Sequence, residues 1–326
     1  MKRVFWPMAI LLSGMCVLTM LVGSPICATQ NSLGDSESLR QELKESGYRL
    51  IIAIHPKEPQ AGESAARDLY FINADGTGLV RITHTPQDSE HMPRVSPDGT
   101  RVCFIRGDNL WLLDLQTMQE EKLPVGAGSH AWGPDSKEIA FDWNKPGIGI
   151  YNLETKKVRA VGNVRGMADV DWSPDGEWFI FEIRDYKGIK FTIDFMSADG
   201  GEVRKLPNYG GQGECHPCFS RDGRWHCWNA GDGLSIRRFA PELPEGTDGE
   251  VKHFGSRLFG QDPCGRWSRD DNYIAFVCIP REGSWKVHSP IRIVRVSDGE
   301  SVQLNPPGTV GHHWDYDWLL PKDAAR

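Results

Sequence analysis

Val95-Ser96-Pro97-Asp98-Gly99-Thr100-Arg101-Val102 places a turn between two apolar strands, and its central tetrad returns four more times along the chain. It recurs as Gly133-Pro134-Asp135-Ser136, Ser173-Pro174-Asp175-Gly176, Ser220-Arg221-Asp222-Gly223 and Ser268-Arg269-Asp270-Asp271, at spacings of 37, 40, 47 and 48 residues. A period of that length is the mark of a repeat architecture. The tetrad reads as a hairpin turn: Pro presets φ, Asp bonds its own backbone, and Gly accepts the left-handed conformation. Ser136 and Asp271 stand where that Gly is expected, at a cost of about 1 kcal/mol each. An apolar residue precedes every tetrad (Val95, Trp132, Trp172, Phe219, Trp267) and an apolar strand follows it.

Each repeat therefore reads as four strands, in the second at about 93–96, 101–106, 109–114 and 120–124. Runs such as Ile180-Phe181-Glu182-Ile183 are nearly continuous, as strands covered on both faces are. Arg49–Ile54, Asp68–Asn73 and Leu79–Thr83 supply three strands with no tetrad before them, and Trp314–Leu320 resembles an innermost strand with nothing after it. Joined, they make a sixth blade and leave no open sheet edge. The expected fold is all-β, a six-bladed propeller of four-stranded antiparallel blades over 48–320. N-terminal strands close the ring by pairing with the C-terminal one, and 321–326 form a tail. Trp132, Trp172, Trp267 and Trp318 hold equivalent places and are expected to pack blade against blade. Phe239–Gly249 reads as a solvated insertion.

These repeats resemble the WD40-like, or PD40, repeat of the TolB family, and the likeness covers about residues 48–320. It implies the same propeller. TolB carries an α/β domain before its propeller, whereas residues 29–47 here suffice for one short Ser-capped helix, Ser36 to Lys44. The repeat also occurs in propeller domains of prolyl oligopeptidase-type peptidases and of oligogalacturonate lyases, so it does not fix function. No Gly-x-Ser-x-Gly motif occurs in the chain, so a nucleophile-elbow hydrolase is not expected.

Hydrophobic residues at 39% and charged residues at 25% describe a soluble globular chain; 12 Trp, 35 Gly and 21 Pro suit many strands and tight turns. Lys2 and Arg3, the apolar run Val4–Val22 and a small-residue exit at Cys27-Ala28 read as a signal peptide over 1–28. An uncleaved membrane anchor is the alternative. The protein is thus expected in the periplasm or outside the cell. Loss of the leader takes the formal charge from −7 to −9. Such a surface repels phosphate backbones, and nucleic acid is not an expected partner. Six cysteines then remain. Cys215-His216-Pro217-Cys218 has half the spacing of a zinc site and no second half. Cys215 with Cys264, or Cys218 with Cys227, could instead pair.

In a propeller the loops leading into the inner strands gather round the channel. Here those segments carry Glu90, His91, His130, Asp169, Glu214, His216, Asp262, His312 and His313. These are the candidate ligand-binding residues, and His91, His130, His216 and His313 are the candidate ligands for a divalent cation. Polar strand caps lining a wet channel are the alternative. Two functions follow. The favoured one is a non-catalytic exported module that binds a protein or envelope component. The other is a metal-assisted enzyme on an acidic polysaccharide, like the oligogalacturonate lyases, which hold a metal through histidines at the propeller centre. Carbohydrate is a possible ligand on that reading.

Overall fold

At each tetrad the chain reverses as its composition dictates. Gly99 N–H donates to Ser96 O (2.8 Å), Ser96 Oγ donates to Asp98 Oδ1 (2.6 Å), and Arg101 N–H donates back to Ser96 Oγ (3.0 Å). The same Ser–Asp bond recurs at Ser173, Ser220 and Ser268. The last tetrad residue is left-handed in all five turns, with φ between 59° and 80°, including Ser136 and Asp271. Those two replacements have a use. Ser136 Oγ accepts Asp98 N–H of the preceding blade, and the Asp271 carboxylate accepts both Arg221 and Asp222 N–H. Their side chains tie neighbouring turns together, which offsets the backbone strain.

The computed structural model describes residues 35–55, 66–85, 87–185, 190–205, 215–229, 233–240, 251–255, 259–260, 265–277, 279–280, 290–304 and 315–321. The expected leader and the greater part of Phe239–Gly249 lie outside them. The fold is a six-bladed β-propeller of four-stranded antiparallel sheets. Blade one takes its inner strand, Asp315–Trp318, from the far end of the chain and sets it beside Arg49–Ile54, Asp68–Asn73 and Val80–Arg81. Leu50 pairs with Trp318 and Ala53 with Asp315, which closes the ring. The inner strands of blades two to six are Glu90–Val95, His130–Trp132, Met167–Trp172, Cys215–Phe219 and Arg266–Trp267. An additional short pair joins Phe259–Gly260 to Ile279–Pro280. No helix of the described residues is long and apolar enough to cross a membrane.

Four inner strands depart from the expected boundaries. Glu90-His91, His130, Asp169 and Cys215-His216 belong to strands, not to the loops before them. Three of these strands continue past a register shift, between His91 and Arg94, Ala168 and Asp171, and Cys215 and Cys218. The equivalent residues Met92, Asp169 and His216 have φ of 48°, 49° and 53°. A bulge of this kind re-aims side chains without ending the strand. Phe239 also departs from the solvated reading, because its ring packs edge-on against Trp178, Phe195 and Phe219 between blades four and five.

The blades adhere through apolar faces and a few buried polar bonds. Trp132 Nε1 donates to Arg94 O and Trp318 Nε1 to Arg266 O, each in the preceding blade (both 2.8 Å). Asp317 Oδ2 accepts Val95 N–H and Asp171 Oδ2 accepts Phe219 N–H of the next blade (both 2.8 Å). Outside the ring, the helix Glu37–Ser46 begins at Ser36, whose Oγ accepts Leu39 N–H, and ends at left-handed Gly47. Leu39 and Leu43 are buried with Leu50, Ile52, Ile291 and Val302, so the helix covers the seam between blades one and six. Arg40 donates to Asp75 O and Gln303 O, and Ser36 N–H to Ser301 O, which anchors the helix to both blades.

Candidate functional site

The end of the channel where the chain runs into the inner strands is called the upper end; the tetrads lie at the lower end. Two polar clusters occupy the upper end among the described residues. Blades one and two supply the first. Arg67 Nη1 lies 3.1 Å from Asp315 Oδ2, Arg67 Nη2 lies 3.3 Å from His91 Nε2, and His91 Nδ1 lies 3.5 Å from the same Asp315 oxygen. Burial pushes the Asp315 carboxyl up, but the His91 bond and the Arg67 and Arg94 charges outweigh it and hold it below the usual carboxylate range. Arg67, His91 and Asp315 face a cavity of about 390 Å3, with Gly107, Asp108 and Gly128 on its other wall. Behind them Glu90 is fully buried and accepts bonds from Thr83, Thr85 and Arg106. Burial raises its pKa.

Blades four and five supply the second cluster. His216 Nδ1 lies 3.0 Å from Asp169 Oδ2, and Arg184 bridges Asp169 and Glu182. Burial opposes ionisation of Asp169, yet His216 and Arg184 hold its carboxyl far below the ordinary value. Glu182 moves the other way, raised by burial and by the Asp169 charge. One ligand atom each from Glu182, Cys215 and His216 lies within 4.8 Å of the others. Asn229 Nδ2 donates to Cys215 Sγ at 3.2 Å. A carboxylate, a thiolate and an imidazole suit a borderline divalent ion such as zinc. With Nε2 as the ligand atom, Asp169 on Nδ1 would correspond to the carboxylate that orients a metal-bound histidine.

The structure thus brings His216 together with Asp169, and His91 with Asp315, in two places. His130 joins neither. It is 1% exposed, its Nε2 lies 3.1 Å from Cys103 O, and burial lowers its pKa to about 3. It is a neutral ring packed in the blade interface. Glu214, Asp262, His312 and His313 lie outside the described residues. Reading the lead-in segments alone missed Arg67, Glu182, Arg184 and Asp315. A signal existed for Glu182: it interrupts the apolar run Ile180–Ile183, and a carboxylate in a strand covered on both faces needs a partner.

Of the two cysteine pairings, the structure favours Cys218 with Cys227. They are opposed in neighbouring strands, with Sγ atoms 3.1 Å apart. Cys264 lies outside the described residues. Diamide oxidation followed by non-reducing peptide mapping is expected to recover Cys218 linked to Cys227. Recovery of Cys215 in the link instead would overturn that assignment.

No family model matches the chain. Among curated proteins it is similar to Dipeptidyl-peptidase 5 of Porphyromonas gingivalis, 20% identical over a 288-residue alignment that covers 81% of this chain. The chain spans 40% of that relative's length. Among solved structures it is similar to TolB from Acinetobacter baumannii (TM-score 0.65, 18% identical, covering 83% of this chain and 66% of that one). It is similar also to a putative TolB from Agrobacterium tumefaciens (TM-score 0.61, 18% identical, covering 83% and 97%). A chain of a nidogen/laminin complex matches with a TM-score of 0.61 at 12% identity, covering 84% of this chain and 99% of that one. At these identities the likeness establishes the fold: the chain is a TolB-like six-bladed propeller.

Proposed function

We propose that the chain is an exported propeller that works as a binding module for a protein or envelope component, which it meets at the upper end of its channel. The observation that carries this reading is the fixed rim there. His91, Arg67 and Asp315 hold one another across the junction of blades one and two, and Asp169, Glu182, Arg184 and His216 do so across blades four and five. Side chains already held in place lose little entropy when a partner docks on them. Propellers of this shape in TolB and in a nidogen/laminin complex are consistent with such a role. The test is cross-linking in cells with mass spectrometry of the captured protein. His91→Ala is expected to reduce capture about tenfold or more, while Arg159→Glu on the outer strand of blade three leaves it unchanged. Equal capture by both variants would sink the reading.

One observation favours a second reading, a metal-assisted enzyme on an acidic polysaccharide. The Glu182–Cys215–His216 group would hold the ion, and the ion would neutralise a uronate and acidify its α-proton. Protein purified without chelator is then expected to carry close to one zinc per chain and to lose it on His216→Ala. Metal-free, folded wild-type protein would remove this reading.

A further inference from the structure

Four arginines converge at the lower end of the channel. Two stand where the turn elsewhere has proline: Arg221 and Arg269, against Pro97, Pro134 and Pro174 in blades two to four. The other two, Arg94 and Arg266, come two residues before the first Ser of their tetrads. All four line one cavity of about 320 Å3 together with Asp171 and Asp317. Four guanidiniums thus face two carboxylates, in a chain whose formal net charge is −7.

Both carboxylates are partly used already. Asp171 accepts Phe219 N–H, and Asp317 accepts Val95 N–H besides Arg221 Nη2 at 3.0 Å. Arg269 spends its Nη atoms on backbone carbonyls, Ser96 O at 2.8 Å and Pro97 O at 3.3 Å. The Nε atoms of Arg221 and Arg269 are buried with no hydrogen-bond partner among the described residues. Burial and the adjacent Arg221 charge lower the Arg269 pKa to about 10, which leaves it cationic at neutral pH. Packing alone does not call for arginine here, since proline closes the same turn in three other blades. Crowding guanidiniums in a half-buried cavity is unfavourable unless an anion completes the set.

The walls narrow the choice of anion. Trp132, Trp172 and Trp267 line the same cavity, and the buried Trp267 indole N–H has no partner among the described residues. Guanidinium forks match a carboxylate in two-point geometry, and indole faces suit a ring or an apolar body. A volume of this order holds a small ligand. We propose that the lower end of the channel is a binding site for an organic carboxylate on a ring or apolar body, gripped by Arg221 and Arg269. A free small molecule and the C-terminal carboxylate of a peptide present that chemistry alike. The site is at the other end of the channel from the upper rim and does not depend on the function proposed there.

The test is a titration of the purified chain, followed by tryptophan fluorescence and calorimetry. The probes are benzoate, its neutral isostere benzamide, and a tripeptide ending in phenylalanine with either a free carboxylate or an amide. Saturable binding of an acid, with the matching amide weaker by about tenfold or more, is expected. A tighter tripeptide acid would identify a peptide terminus as the source, and tighter benzoate a free molecule. Arg221→Gln with Arg269→Gln is expected to weaken the acid about tenfold or more, and the double Lys variant to recover part of the loss. Should the double Gln variant not fold, Arg269→Gln alone serves, because its guanidinium bonds backbone carbonyls only. Acids that do not bind, amides that bind equally, or a folded Gln variant that binds unchanged would each overturn the proposal.

Discussion

Asp317→Ala is expected to lower the unfolding free energy by about 3–5 kcal/mol, the usual cost of stranding one partner of a buried ion pair. Asp317 is 1% exposed and does three things at once. It accepts Val95 N–H from blade two, Arg221 Nη2 from blade five, and its own neighbour's Trp318 N–H. Alanine leaves two backbone N–H groups and a guanidinium without that acceptor. Asp317→Asn keeps the shape and one acceptor oxygen, so a loss of about 1–3 kcal/mol is expected. Urea unfolding followed by tryptophan fluorescence measures both. An Asp317→Ala protein as stable as wild type would show that these three bonds are dispensable.

The same carboxylate gives a pH signature. Burial raises its pKa, but Arg221, Arg269 and Arg94 outweigh that and hold the folded value below the ordinary one. Asp315 and Asp169 are lowered likewise by their own partners. A group lowered on folding contributes fully above its unfolded pKa, about 3.9 for Asp, and that contribution is lost as pH falls through the folded value. Wild-type Tm is therefore expected to drop steeply below about pH 4. Glu90, Asp171 and Glu182 are raised and act in the opposite sense, so the comparison with Asp317→Asn isolates this one carboxylate's share. The variant's curve should be the flatter one.

Leu39→Ala and Leu43→Ala are each expected to cost about 2–5 kcal/mol, the range for emptying a fully buried leucine site. Both side chains are essentially inaccessible, at 0% and 1%. They sit where the sheets of blades one and six meet, among residues of both. The loss should be local in origin. Hydrogen exchange of the Leu50–Ala53 amides is expected to accelerate before that of blades three and four. A uniform acceleration round the ring would instead mean that the helix stabilises the fold with no special bearing on the seam.

The fold was legible because its signal is both local and repeated. A Pro-Asp-Gly turn states its own backbone conformation, and five in register leave few architectures. The closing strand was legible as well, since Tyr316 and Trp318 continue an inner-strand pattern that lacks a sequel. The bulges were not. Asp and His are enriched at positive φ and Met is not, so the residue types at 92, 169 and 216 do not by themselves mark three equivalent bulges. The candidate site was half legible for a related reason. His91, Asp169 and His216 could be placed by their position before a tetrad. Arg67, Glu182 and Arg184 approach from neighbouring strands, and only the register of the sheets brings them in. The lower arginines hid in plain sight, because Arg221 and Arg269 read as harmless variants of a degenerate turn.

The way the ring closes also sets an order of events during synthesis. Arg49–Ile54 is made before blades two to six, and Asp315–Trp318, the strand that covers its inner edge, only after them. While blades two to six are being made, blade one carries a bare row of N–H and C=O groups along that edge. Blades two to six each complete within a single stretch of sequence and can gather as they emerge. The ring as a whole cannot lock until Trp318 arrives, so until then the growing chain stays an open arc.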